Sequence, residues 1–205
     1  MLEKLKYSLY VIFHPFKGFW DIKKENKGNI SSASIIILVM CLVSVMEYTL
    51  TGYIVTDNTI SGFNIFIQLG IVICPFFLFC IGNWCTTTLF DGEGSFKDIY
   101  IMTAYAITPL ILIRIPMILL SNIIKLEELS FYTFLSVLSV VWVVFLLFVG
   151  MITIHQYTGI KTIFTAALTV LAMAIIVFLI LLFFALIQQV FSFIELVYKE
   201  MTLRA

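Results

Sequence analysis

Five long apolar runs, near residues 33–56, 64–90, 99–121, 131–155 and 162–192, are separated only by short polar breaks. Each run is long enough for an α-helix to cross a hydrocarbon core, which takes about 20 residues. The breaks are Thr56-Asp57-Asn58-Thr59, Asp91-Gly92-Glu93-Gly94-Ser95, Lys125 to Ser130 and His155 to Lys161. None has room for a soluble domain, so successive helices must run antiparallel and pack as neighbours. Lipid offers the backbone no hydrogen-bond partners, and helices satisfy those groups within the segment. The expected fold is an all-α membrane protein, a bundle of about five transmembrane helices with an N-terminal amphipathic helix. Composition agrees: 62% of residues are hydrophobic and 12% charged, about half the charged fraction of a soluble domain. Mean hydropathy is +1.12.

Two segments are expected, a cytoplasmic amphipathic stretch at 1–29 and a five-helix transmembrane domain at 30–205. The first carries Leu2, Leu5, Leu9, Ile12 and Phe13 at roughly helical spacing, then Phe16, Phe19 and Trp20 beside Lys17, Lys23 and Lys24. Aromatic and apolar residues beside lysines suit the headgroup layer or the inner face of the bundle. No cleavable leader is expected, because the apolar run begins only after these lysines and is too long for a signal core. With the N-terminus inside, Lys4, Lys6, Lys17, Lys23, Lys24, Lys27, Lys97 and Lys161 face the cytoplasm, against Lys125, Lys199 and Arg204 outside. Eight against three gives a cytoplasmic N-terminus and, with five spans, an external C-terminus. The last span is expected to continue as one long helix that projects from the membrane. The bias to Lys, Phe and Ile suggests a bacterial source, hence the plasma membrane.

Catalytic patterns are missing. There is no H-E-x-x-H, no Walker motif and no Glu–Glu pair within a span. Asp91-Gly92-Glu93-Gly94 does not follow a strand and is not a phosphate loop. Cys41, Cys74, Cys80 and Cys85 fall in apolar runs without C-x-x-C spacing, as packing residues do. No catalytic residue, metal site or cofactor is expected. The 12 basic and 12 acidic residues cancel, so no field draws in nucleic acid. His14 reads as a solvated residue before a proline-started helix, and His155 as the end of the fourth span meeting water.

Glu47 and Arg114 lie inside spans, where an ionisable side chain costs about 2.5–3.5 kcal/mol at the helix centre. Counted from the inner ends, both sit about 21–23 Å deep at 1.5 Å per residue. Equal depth and opposite charge allow an ion pair between the first and third spans, the alternative being that each side chain snorkels separately to the outer interface, and no third polar group is expected at that depth. Nearer the inner side, Asn83, Trp84 and Thr86 to Thr88 close the second span while Thr103, Tyr105, Thr108 and Pro109 open the third. They are expected to join these two helices by hydrogen bonds, with prolines as hinges. Asp91 and Glu93 make the connecting loop acidic, and it is expected to approach the lysine-rich N-terminal helix.

The stretch Asn83-Trp84 through Leu89-Phe90-Asp91-Gly92-Glu93-Gly94-Ser95-Phe96-Lys97-Asp98, followed by Ala104-Tyr105-x-x-x-Pro109, resembles bacterial members of the Yip domain family. Pro15-Phe16-x-x-Phe19-Trp20 before the first span is also similar. The resemblance covers essentially the whole chain and implies the five-helix plan and a non-enzymatic membrane role. Eukaryotic members interact with Rab/Ypt GTPases in vesicle transport. Their glycine-tyrosine-x-x-x-proline motif stands here with Ala104, and their aspartate-leucine-tyrosine-glycine-proline motif is missing, so GTPase binding is not carried over. The expected role is a scaffold or accessory subunit of a membrane complex, in transport or trafficking. Its partners would be the lipid bilayer and a membrane protein such as a transporter, with a homo-oligomer compatible. The alternative is a small transporter or channel subunit using Glu47 and Arg114.

Overall fold

The computed structural model describes residues 2–55 and 63–203, which are mainly helical and contain no strand. The Thr56-Asp57-Asn58-Thr59 break and Arg204 lie outside the described residues. In chain order the helices are α1 (Leu2–Phe13), α2 (Pro15–Lys24), α3 (Ile30–Leu50), α4 (Ile65–Leu89), α5 (Phe96–Ala106), α6 (Thr108–Leu120), α7 (Leu129–His155) and α8 (Gly159–Leu203), with a 3-10 turn at Leu126–Glu128. Among the described residues five stretches are long and apolar enough to cross a membrane, with α5 and α6 together forming the third. The chain is an integral membrane protein.

The helix ends follow from local chemistry. Pro15 opens α2, where a missing N–H costs nothing. Asn64 Oδ1 accepts from Phe66 N–H at 3.0 Å and caps α4. Ser95 and Asp98 form a reciprocal capping box that starts α5 directly after the glycine loop. Gln156 turns left-handed at φ 57° and stops α7.

Two boundaries differ from expectation. The first span ends at Leu50, not near 56, because the chain turns onto α6. Gly52 N–H donates to Ser121 Oγ at 3.0 Å, and a Cβ on Gly52 would meet the Ser121 carbonyl oxygen at 2.4 Å. The third span is broken at Ile107, since Pro109 has no N–H to continue the helical ladder. Pro75 and Pro116 lie inside α4 and α6 without ending them. The last helix runs on past residue 192 to Leu203, as the one long helix expected.

The tightest core lies at one end of the bundle, where α1 and α2 pack on it. Val11 and Phe19 are fully buried with Ala33 of α3, Ile99 and Met102 of α5, and Leu146 of α7. A Cβ on Gly150 would meet Met102 Cγ at 2.6 Å, so this glycine lets α7 approach α5. Tyr105 donates its hydroxyl to the Lys4 carbonyl at 2.8 Å. Burying Phe19, Val11 and Ile22 contributes about 1.5–3 kcal/mol each. The N-terminal segment packs on the bundle with one face in the core, and Phe13, Phe16 and Trp20 stay exposed on the other beside Lys17 and Lys24. His14 is exposed and stacks on Tyr10 at 4.7 Å.

Candidate functional site

Two polar centres interrupt the apolar bundle. The first lies under the acidic loop, at the end that carries α1 and α2. Asn83 on α4 is fully buried and His155 at the end of α7 is 1% exposed. Asn83 Nδ2 donates to Thr169 Oγ1 of α8 at 3.5 Å. That leaves Asn83 Oδ1 to accept from His155 Nε2–H at 3.0 Å. Thr86 and Thr169 share a hydrogen bond of 2.9 Å. Thr87 Oγ1 donates back to the Asn83 carbonyl at 2.7 Å. Three helices are thereby joined through neutral groups, the arrangement that a dry interior tolerates.

The loop after α4 closes over this cluster. His155 Nδ1 is a bare acceptor with no hydrogen-bond partner among the described residues. A Cβ on Gly92 would meet His155 Nδ1 at 2.7 Å, and one on Gly94 would meet His155 Cε1 at 2.7 Å. The glycines therefore serve close approach, since neither has a positive φ; the left-handed residue is Asp91 at φ 53°. Tyr157 stacks on His155 at 5.4 Å and donates to the Phe90 carbonyl at 3.0 Å. Burial and the nearby Asp91 carboxylate raise the Tyr157 phenol above its usual range, so it stays a donor. Outside the cluster, Lys23 of α2 pairs with Glu93 at 3.2 Å and also donates to the Ile154 carbonyl. The approach of the acidic loop to the lysine-rich helix, expected from charge, is present.

These contacts correct two readings. His155 does not meet water; the loop and Tyr157 cover it. Asn83 turns to α7 and α8 and Thr86 to α8, rather than to the third span, while the Thr87 hydroxyl bonds back within α4. Tyr105 reaches α1 instead, Pro109 is buried at the α5–α6 break, and Trp84 is 46% exposed with its ring edge-on to Phe96 at 6.0 Å. Nothing in the sequence marked His155 as the partner of Asn83. The one available signal was the alternating glycine pair, which needs a flat neighbour to lie against.

The N-terminal hairpin holds a third polar group. Asp21 is 4% exposed and accepts from Tyr7 and from Lys27, each at 2.8 Å. The Lys27 ammonium, against the cost of burial, holds the Asp21 carboxyl below its usual range, with Tyr7 helping. Burial and the bond to Asp21 push the Tyr7 phenol up.

The second centre lies toward the opposite end. Arg114 Nη1 donates to Glu47 Oε2 at 2.6 Å, and the two side chains are 26% and 34% exposed. The ion pair forms, but it is not isolated. It borders a cavity of about 280 Å³ whose lining includes Ser44, Gln68, Tyr132 and Ser136. The expectation of no third polar group at this depth is therefore wrong. Gln68, Tyr132 and Ser136 come from spans that run in the opposite direction, and their depth must be counted from the other end.

Among the described residues no three His, Cys, Asp or Glu converge as metal ligands, and Cys41, Cys74, Cys80 and Cys85 are free thiols. Comparison with known proteins found no match among curated proteins and none among solved structures. A family model, that of the Yip1 domain, matches residues 9–194.

Proposed function

The chain belongs to the Yip1 domain family, and from that premise we propose that it acts as a non-enzymatic scaffold or accessory subunit of a membrane complex, in transport or trafficking. One observation carries the reading: both polar centres inside the bundle are built on bonds from one helix to another. Asn83, His155 and Thr169 tie three helices together, and Glu47 closes on Arg114. Lipid contacts the apolar helix faces. A membrane-protein partner fits the face where Trp84 and Glu93 are exposed beside the Asp91–Gly94 loop. In this reading Tyr105 and Pro109 are structural, positioning α1 and the α5–α6 break. The lysine distribution supports a cytoplasmic N-terminus and an external C-terminus, and the bias to Lys, Phe and Ile supports a bacterial plasma membrane.

Affinity purification from native membranes in a mild detergent tests the proposal. A second membrane protein should co-purify, and its recovery should fall in a Trp84→Ala, Glu93→Gln variant. Recovery of this chain alone, as monomer or homo-oligomer, would remove the support for a scaffold.

The cavity at Glu47 and Arg114 favours one other reading, a small transporter or channel subunit. It predicts ion or solute flux into liposomes that Glu47→Gln abolishes. No flux from either protein rules out transport by the isolated chain.

A further inference from the structure

The break at Ile107 leaves a furrow in the bundle. Up to the break, α5 packs on both α4 and α7; beyond it, α6 packs on α3 and α7 and scarcely touches α4. Helices α4 and α7 hardly meet each other either. Two cavities of about 280 Å³ each lie in the gap, over a floor of α3 and α6. They adjoin, since Ser44, Ile71 and Arg114 line both. Ile71 is more than half exposed, so the furrow opens on the outside of the bundle, where lipid lies.

The two chambers differ in chemistry. The one at Glu47 and Arg114 is polar and lies near the ends of α3, α4, α6 and α7 that are remote from α1 and α2. Ser44, Gln68 and Tyr132 line it. All three are at least nine-tenths buried, and their side-chain polar groups have no hydrogen-bond partner among the described residues. Thr51 Oγ1, also on the lining, is buried and unpartnered too. Glu47 and Arg114 share one bond, from Nη1 to Oε2, which leaves Glu47 Oε1 and the other guanidinium N–H groups unspent. Buried polar groups without partners are costly, and several converging on one cavity point to a ligand that pairs them. The second chamber is apolar, with Met40, Val72, Phe79, Leu110 and Leu147 on its lining. Along each helix these residues lie on the α1–α2 side of the polar ones, toward the middle of the bundle. A polar chamber near the helix ends, with an apolar one running inward from it, matches the order of headgroup and acyl chain in that leaflet.

From this geometry we propose that the two chambers form one site for a phospholipid whose zwitterionic headgroup carries a primary ammonium, of the phosphatidylethanolamine type. The Glu47–Arg114 pair is neutral, and a ligand bearing both signs keeps it so. The phosphate takes the unspent N–H groups of Arg114 and the hydroxyls of Ser44 and Tyr132. The ammonium donates to Glu47 Oε1 and to the Gln68 side-chain carbonyl, and one acyl chain lies in the apolar chamber. A trimethylammonium headgroup has no N–H to give Glu47, and a purely anionic headgroup sets its charge beside the Glu47 carboxylate. The inference is independent of the scaffold and transport readings, because a lipid held here serves either.

Native mass spectrometry of the full chain, stripped of lipid in detergent and offered phosphatidylethanolamine, phosphatidylcholine or phosphatidylglycerol, reads the preference. One phosphatidylethanolamine should be retained per chain, about tenfold more tightly than either other lipid. Gln68→Leu with Tyr132→Phe should weaken its retention about tenfold and leave the lipid-free thermal midpoint unchanged, because neither side chain bonds within the protein. Soluble glycerophosphoethanolamine should compete only at about a hundredfold higher concentration. Equal retention of the three lipids, or retention that Gln68→Leu with Tyr132→Phe leaves intact, overturns the inference. Competition by the soluble headgroup at the lipid's own concentration also overturns it, and assigns the polar chamber to a free zwitterion instead.

Discussion

Removing one member of the Glu47–Arg114 pair should cost more than removing both. The contact is 2.6 Å between Nη1 and Oε2, with the side chains 26% and 34% exposed. Two unit charges at 4 Å interact by about 4 kcal/mol at an effective dielectric of 20. The adjoining cavity of about 280 Å³ is lined by hydroxyls and an amide and has room for water, which reduces that figure. Breaking a buried pair from one side costs about 3–5 kcal/mol, whereas replacing both partners by apolar groups is close to neutral. For this partly hydrated pair we expect each of Glu47→Leu and Arg114→Leu to lose about 2–4 kcal/mol, and the double variant to lose less than the larger single loss. Equilibrium unfolding in mixed detergent micelles gives the three values, and the charge exchange Glu47→Arg with Arg114→Glu should recover part of the loss. Losses that simply add would show that the two charges do not depend on each other. Each would then be held by other groups around the cavity, and the transport reading would gain weight over a structural one.

The loop over His155 makes a steric prediction: Gly92→Ala and Gly94→Ala should each lower stability by about 1–3 kcal/mol by overpacking, read as a loss in thermal midpoint. Because a Cβ on Gly92 would meet Tyr157 Oη at 2.6 Å as well as His155 Nδ1 at 2.7 Å, Gly92→Ala should be only partly relieved in a His155→Ala background. Asn83→Leu deprives His155 Nε2 of its acceptor and should cost about 1–3 kcal/mol, whereas a surface change such as Gln188→Leu should be neutral in the same assay. Asp21 titrates below the unfolded carboxylate value, so its stabilisation is complete above about pH 4 and is lost as the pH falls through the depressed folded value. Protease nicking within α1 and α2 should therefore rise on acidification, and Asp21→Asn should nick readily at neutral pH with little further change in acid.

The sequence by itself determined the number and kind of the membrane spans, because a helix in lipid satisfies its backbone within its own segment and needs no information from elsewhere. It also placed Glu47 and Arg114 at one depth, since two spans running in the same direction place equal counts from their ends at equal depth, but their contact was decided by the packing. Depth counting fails between antiparallel spans whose exact ends are unknown, and for that reason Gln68, Tyr132 and Ser136 around the pair were not foreseen. It also carries no information about azimuth. Asn83 had to turn toward some helix, but its partners stand 72 and 86 residues away on α7 and α8. Only the packed bundle decides which face each helix presents. The deciding contacts are local steric ones, Gly150 against Met102, Gly82 against Met173, and Gly92 and Gly94 against the His155 ring. Each glycine is visible in the sequence, but the neighbour for which its missing Cβ makes room is supplied by a distant segment and exists only in the tertiary structure.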